Sequence, residues 1–61
     1  MTEEERDTAC ILVKTIRSEI DIMCATNELS EFDTMYEHAR RNLNKLSKII
    51  YDARFAGYKE N

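Results

Sequence analysis

The sequence contains no proline, no tryptophan and a single glycine among its 61 residues. Proline and glycine are the residues that most strongly interrupt helices, so their scarcity favours long, continuous helices over strands or irregular structure. Hydrophobic residues make up 43% of the chain and charged residues 34%, a balance that favours a folded chain over a disordered one. We therefore predict an all-α fold.

The sequence also offers little to metal or redox chemistry, since it contains two cysteines and one histidine. Cys10 and Cys24 lie about 21 Å apart along one predicted helix, which excludes an intrachain disulfide and a tetrahedral metal site shared with His38. One glycine cannot form a glycine-rich phosphate loop, and no nucleophile stands in a motif with a base. The carboxylates are expected on solvated helix faces, where they serve solubility and helix capping and no pocket shifts their pKa values. The sequence predicts no metal, no cofactor and no enzymatic activity.

Long apolar runs are missing as well. The longest spans residues 9–13, whereas a membrane helix needs about 20 apolar residues. Residues 1–7 are acidic and lack the basic start and apolar core of a secretory signal. We expect a cytoplasmic protein that does not associate with a membrane and keeps its cysteines reduced.

The first half of the chain has the pattern of an amphipathic helix. Thr2 and Glu5 have capping-box spacing, which predicts a helix start at about residue 3. The pattern ends at Thr26 and Asn27, and Asn27 is expected to adopt the left-handed conformation that closes many helices, so helix 1 covers about residues 3–26. The apolar stripe consists of Ala9, Leu12, Val13, Ile16, Ile20 and Met23.

The second half predicts another helix, over about residues 31–56, with Ser30 as its N-cap. Gly57 is the expected stop, and residues 57–61 are expected to form a frayed tail. The short turn at residues 27–30 favours an antiparallel hairpin, with residues 1–61 as one domain. The stripe, which takes the 3–4 spacing of helical bundles from Tyr36 onward, consists of Phe32, Met35, Tyr36, Ala39, Leu43, Leu46, Ile50 and Ala53.

Two helices are too few to cover both stripes. A chain this short buries only about 60% of the surface that its unfolded form exposes, and each stripe meets only one neighbour in a hairpin. We therefore predict a homodimer that forms a four-helix bundle. Its expected core consists of Leu12, Ile16, Ile20, Met23, Phe32, Tyr36, Ala39, Leu43, Leu46 and Ile50.

Apolar side chains also lie on helix 1 away from this core. Their alignment on one helical face favours a second interface for a partner, although single surface apolar residues are common and the face can also be ordinary surface. The candidate partner-binding residues of this face are Ile11, Ser18, Ile22 and Ala25.

Charge is distributed unevenly along the chain. Residues 1–33 carry nine acids and three bases, and residues 34–61 carry six bases and three acids, giving net charges of −6 and +3. No acid lies between Glu37 and Asp52. The bases in this gap can pair with the acidic first helix, bind a protein partner or contact nucleic acid. These further candidate binding residues are Arg40, Arg41, Lys45 and Lys48.

Three families share short segments with the chain. Ile16-Arg17-Ser18-Glu19-Ile20-Asp21 is similar to the opening of a helical chorismate mutase, a fold that requires a longer chain with further basic catalytic residues. Met1-Thr2 and the turn at residues 27–29 resemble the Rop family of plasmid RNA-binding proteins, which are dimeric helical hairpins. The basic first-helix surface that Rop proteins use on RNA is replaced here by Ile11, Thr15 and Glu19.

The third resemblance is to the small sporulation-regulator phosphatases, which are also short helical hairpins. Residues 16–20 and the turn at residues 27–30 are similar in kind and spacing to that family. Its signature Ser-Gln-x-Leu-Asp falls on residues 40–44, which lack the glutamine and aspartate that carry the activity. The resemblance implies the hairpin shape without the catalysis.

The leading functional hypothesis is a small non-enzymatic regulatory or inhibitory protein, of bacterial or phage type, that binds a larger protein through helical faces. One alternative is a dimeric nucleic-acid-binding hairpin that uses the basic residues of helix 2. Another is a structural or chaperone-like assembly hairpin.

Overall fold

The computed structural model describes the backbone of residues 1–60 and the side chains of residues 1–56. Two helices, α1 (Glu3–Ala25) and α2 (Leu29–Glu60), pack against each other as an antiparallel hairpin. The hairpin is a rod of 50 × 16 × 12 Å. The predicted all-helical hairpin is confirmed.

The start of α1 is the capping box that the sequence predicts. The Glu5 backbone N–H donates to Thr2 Oγ1 at 3.1 Å, and the Thr2 N–H donates to Glu5 Oε1 at 2.9 Å. These bonds satisfy two backbone donors that would otherwise lack partners at the helix start. The hydrogen bond from the Thr2 backbone lowers the pKa of the Glu5 carboxyl below its ordinary value.

The turn between the helices differs from the expectation. No described residue has a positive φ, so the left-handed conformation predicted at Asn27 is wrong. Thr26 is extended instead, at φ −100° and ψ 146°, and its Oγ1 accepts the Glu28 N–H at 3.2 Å. The Glu28 carbonyl in turn accepts the Phe32 N–H at 3.0 Å. Because these bonds start α2 at Leu29, the N-cap predicted at Ser30 is also wrong.

The end of α2 differs as well. The helix continues through Gly57 to Glu60, so Gly57 is not the stop that the sequence predicts. A glycine inside a helix costs about 1 kcal/mol relative to alanine but does not end it, and no proline follows to block continuation. Residues 57–60 of the predicted tail are thus helical, and Asn61 lies outside the described residues.

The helices meet along a seam of side chains spaced alternately by three and four residues, as in bundle packing. On α1 the seam consists of Glu5, Ala9, Leu12, Ile16, Glu19 and Met23, with Thr26 just beyond the helix. On α2 it consists of Met35, Ala39, Asn42, Leu46, Ile49 and Ala53. Among the described side chains no hydrophobic one is fully buried, so the hairpin has a half-covered seam in place of a closed core.

Candidate interaction surfaces

One long side of the hairpin carries an apolar groove. It is lined by Ile16, Ile20, Met23, Tyr36, Ala39, Arg40 and Leu43 and encloses about 330 Å³. Leu43 is 52% exposed and Ile20 is 47% exposed, although both are large apolar side chains. We refer to these seven residues as the groove.

The predicted oligomer core divides between the seam and this side of the hairpin. Half-buried positions, which pack between the two helices, are taken by Leu12, Ile16, Met23, Ala39 and Leu46. The remaining members stay exposed beside the seam: Ile20, Phe32, Tyr36, Leu43 and Ile50. The sequence pattern thus combined two adjacent strips, one that faces the other helix and one that a single hairpin leaves uncovered.

The only buried residue of the described chain is a carboxylate. Glu19 is 8% exposed, and its Oε1 accepts a hydrogen bond from Asn42 Nδ2 of the opposite helix at 2.9 Å. Its Oε2 lies 3.7 Å from His38 Nδ1, on the half-exposed imidazole. The expectation that the carboxylates lie on solvated faces is wrong for Glu19. We call these three residues the polar cluster.

A signal for the polar cluster was present in the sequence. Glu19 and Asn42 each occupy a position in an alternating three-and-four spacing that is otherwise mostly apolar. A polar side chain at such a position in each helix is the usual arrangement by which bundles satisfy a buried polar group. An apolar-only search passes over both residues, because it follows the neighbouring Ile20 and Leu43 instead.

The candidate residues on α1 do share one exposed face. Ile11 is 65% exposed and Ile22 is 42% exposed, and Ser18 and Ala25 are exposed beside them. Helical geometry places these four within about 60° of one another. The same geometry places them on the opposite side of α1 from the groove residue Ile20. We call them the outer face of α1.

The four candidate bases of α2 do not form one cluster. Arg40 borders the groove and forms an ion pair with Glu37 at 3.7 Å. Arg41 and Lys45 line a shallow polar depression with His38 and Asn42 on the other side of the hairpin. Helical geometry adds Lys48 to that second side, so we call Arg41, Lys45 and Lys48 the basic stripe.

The basic stripe has no acidic partner within the described part of the hairpin. Among the side chains of residues 1–56, no carboxylate lies within ion-pair distance of any of the three bases. Over the same residues, the contact between titratable groups of α1 and α2 is that of Glu19 Oε2 with His38 Nδ1 at 3.7 Å. Pairing of the bases with the acidic first helix, one of the three alternatives, therefore has no ion pair to support it over residues 1–56.

Other candidate features are sparse. Cys10 and Cys24 are exposed free thiols, and no three metal-binding side chains come together within the described residues. Neither helix, over its described length, has an apolar stretch long enough to cross a bilayer. On the remaining side of α2, the rings of Tyr51 and Phe55 stack with centroids 6.5 Å apart.

Comparison with known proteins assigns no family to this chain. No protein-family model matches the chain, and neither a curated protein nor a solved structure is significantly similar to it.

Proposed function

We propose that this chain is a small non-enzymatic regulatory or inhibitory protein that binds a larger protein target in the cytoplasm of a bacterium or phage-infected cell. The observation that supports this most directly is the outer face of α1, where Ile11 is 65% exposed although it is a large aliphatic residue. A preformed helical face with aligned apolar side chains is a common means of binding a groove on a partner. Ile22 extends the same face about three helical turns further along α1.

The proposed active form is a homodimer in which the grooves of two hairpins face each other to form a four-helix bundle. The hairpin exposes 5189 Å², whereas a compact monomer of 7.2 kDa exposes about 4100 Å². The excess is comparable to the roughly 800 Å² that each partner buries in a stable interface. Each large apolar side chain covered in this way contributes about 1.5–3 kcal/mol.

The first test concerns the outer face of α1. The Ile11→Glu and Ile22→Glu variants should remain helical and dimeric, because both side chains lie away from the seam and the groove. They should lose cross-linking to the host target in cells that express the protein at its native level. A matched control is Cys10→Glu, which adds the same charge at an exposed position on a different face of α1. Unchanged cross-linking in both isoleucine variants would refute the proposal.

A nucleic-acid-binding dimer remains the second candidate, and it is favoured by the basic stripe, which has no ion pair over residues 1–56. Phosphate contacts make such binding strongly dependent on salt. A variant with Arg41→Glu and Lys48→Glu should then lose affinity for generic duplex RNA and DNA. If the wild-type chain does not bind either duplex at low salt, this candidate is excluded.

A further inference from the structure

The outer face of α1 and the basic stripe of α2 lie on the same side of the hairpin. On α1, Ile22 lies about 160° around the helix from the groove residue Ile20, with the seam between them. On α2, Lys45 lies about 160° from the groove residue Leu43 in the same sense. Since the groove is on one side of the seam, Ile22 and Lys45 are both on the other.

The polar cluster aligns the two sets along the rod. Glu19 contacts both Asn42 and His38, so it lies level with a point between these two residues of the antiparallel helix. Counting away from that point, Arg41 lies level with about residue 18 of α1 and Lys48 with about residue 11. The three bases therefore extend over about 10 Å of the rod, beside the part of α1 from Ser18 to Ile11.

No acid on this side forms an ion pair with the basic stripe over residues 1–56. The α1 residues that border the stripe are neutral or apolar, including Thr15 and Ile22. Glu19 lies beneath the surface, where it accepts a hydrogen bond from Asn42. The other acids on this side flank the stripe along the rod: Glu4 and Asp52 toward the start of α1, and Glu31 and Glu37 toward the turn, where Glu37 pairs with Arg40.

We infer that this combined surface, which we call the apolar–basic face, binds an amphipathic helix whose apolar side chains are flanked by aspartate and glutamate. The inference rests on the proposed function and specifies the chemistry of its protein partner. Apolar residues of such a helix cover Ile11 and Ile22, while its acids meet Arg41, Lys45 and Lys48. Charge complementarity favours this occupant, because the exposed Ile11 and Ile22 lie on the same side as three bases that have no ion pair over residues 1–56. A second copy covers the groove in the proposed dimer, on the other side of the seam.

The test uses the full chain and a designed peptide of about 18 residues, or five helical turns. Leucines at helical spacing form one face of the peptide, and glutamates flank them. A second peptide is identical except that lysine replaces each glutamate. We expect the glutamate peptide to bind at least about tenfold more tightly by fluorescence anisotropy and to weaken as salt is raised.

Variants of the protein locate the site. Arg41→Gln, Lys45→Gln and Ile22→Ser should each weaken binding of the glutamate peptide several-fold while the circular dichroism spectrum is unchanged. Arg17→Gln is the matched control, because it removes an exposed cation from α1 outside the apolar–basic face and should leave affinity unaltered. Equal binding of the two peptides, or loss of binding only in Leu43→Ser, overturns the inference.

Two further arms separate this inference from its competitors and from the proposed function. The full chain is also tested with duplex RNA and with phosphatidylserine vesicles. If either binds, and binding requires Arg41 but not Ile22, the ligand is a polyanion and the inference is overturned. If the glutamate peptide does not bind but Ile22→Glu still abolishes cross-linking in the host, the inference fails and the proposed function stands. If Ile22→Glu leaves cross-linking intact, the proposed function itself fails.

Discussion

Replacing Asn42 with alanine removes a side-chain hydrogen bond that joins the two helices at the buried end of Glu19. The bond measures 2.9 Å, and the side chain of Glu19 is only 10% exposed, so water does not readily take the place of the lost donor. His38 lies 3.7 Å away, which is too far for a hydrogen bond of its own. A hydrogen bond to a charged group contributes about 1.5–3 kcal/mol, and we expect Asn42→Ala to lower the free energy of unfolding by this amount.

The matched control is Asn44→Ala, which makes the same change on the exposed surface of α2. Both substitutions raise helix propensity equally, so their difference isolates the hydrogen bond. Urea unfolding followed by circular dichroism measures both, at one fixed protomer concentration because stability depends on concentration if the chain dimerises. Asn44→Ala should change stability by less than about 0.5 kcal/mol.

A double-mutant cycle with Glu19→Ala completes the test. If the bond forms as described, the two substitutions together should destabilise less than the sum of the single effects, with a coupling of about 1–2 kcal/mol. The reasoning would be refuted if Asn42→Ala and Asn44→Ala lowered the free energy of unfolding equally. It would also be refuted if the effects of Glu19→Ala and Asn42→Ala were additive.

Three other predictions concern the groove and the helix ends. Leu43→Glu places a charge in the groove, so sedimentation equilibrium should detect a monomer, and circular dichroism should show reduced helicity. If the variant is still a dimer, the interface lies elsewhere. The pKa of Glu5 is lowered in the folded state. Its contribution to stability is therefore present above the ordinary pKa of glutamate and is lost as pH falls through the lowered pKa of the folded state. Glu5→Gln should thus reduce the acid-induced loss of helicity, and a curve identical to wild type would contradict this. Thr2→Ala should cost about 1 kcal/mol in urea, and a cost near zero would mean that the cap does not form in solution.

The parts of the fold that the sequence predicts are those set by local chemistry. Thr2 and Glu5 are three residues apart and complete each other's hydrogen bonds, so the start of α1 needs no tertiary information. The absence of breakers and the helical spacing of apolar residues are likewise local, and they indicate two long helices. The short connection then leaves an antiparallel hairpin as the simplest arrangement.

The sequence predictions are wrong where two local conformations, or two placements of a side chain, have similar free energies. Asn27 tolerates a left-handed conformation, but Thr26 is extended and satisfies the Glu28 N–H with its own hydroxyl, which makes that conformation unnecessary. Gly57 permits a stop without enforcing one. Glu19 was assigned to the surface because an acid is rarely buried, and its burial depends on Asn42, which is 23 residues away in the chain.

The position of the seam explains why the candidate surfaces could be listed from the sequence but not related to one another. Apolar residues alone cannot decide which part of a broad stripe faces the other helix, and the choice determines which side each base occupies. Arg40 and Arg41 are adjacent in sequence, yet the seam runs so that Arg40 borders the groove and Arg41 belongs to the apolar–basic face. The outer face of α1 and the basic stripe become one surface only once this is known.

The polar cluster connects the stability of the hairpin to its proposed function. A buried glutamate and asparagine stabilise a seam less than leucines would, but they favour one alignment of the helices. A slip of one heptad would move the basic stripe about 10 Å past the isoleucines and separate the two halves of the apolar–basic face. The variant with Glu19→Leu and Asn42→Leu should therefore resist urea better than wild type and yet bind the glutamate peptide more weakly. Affinity equal to wild type in this more stable variant would mean that the polar pair does not set the alignment on which the apolar–basic face depends.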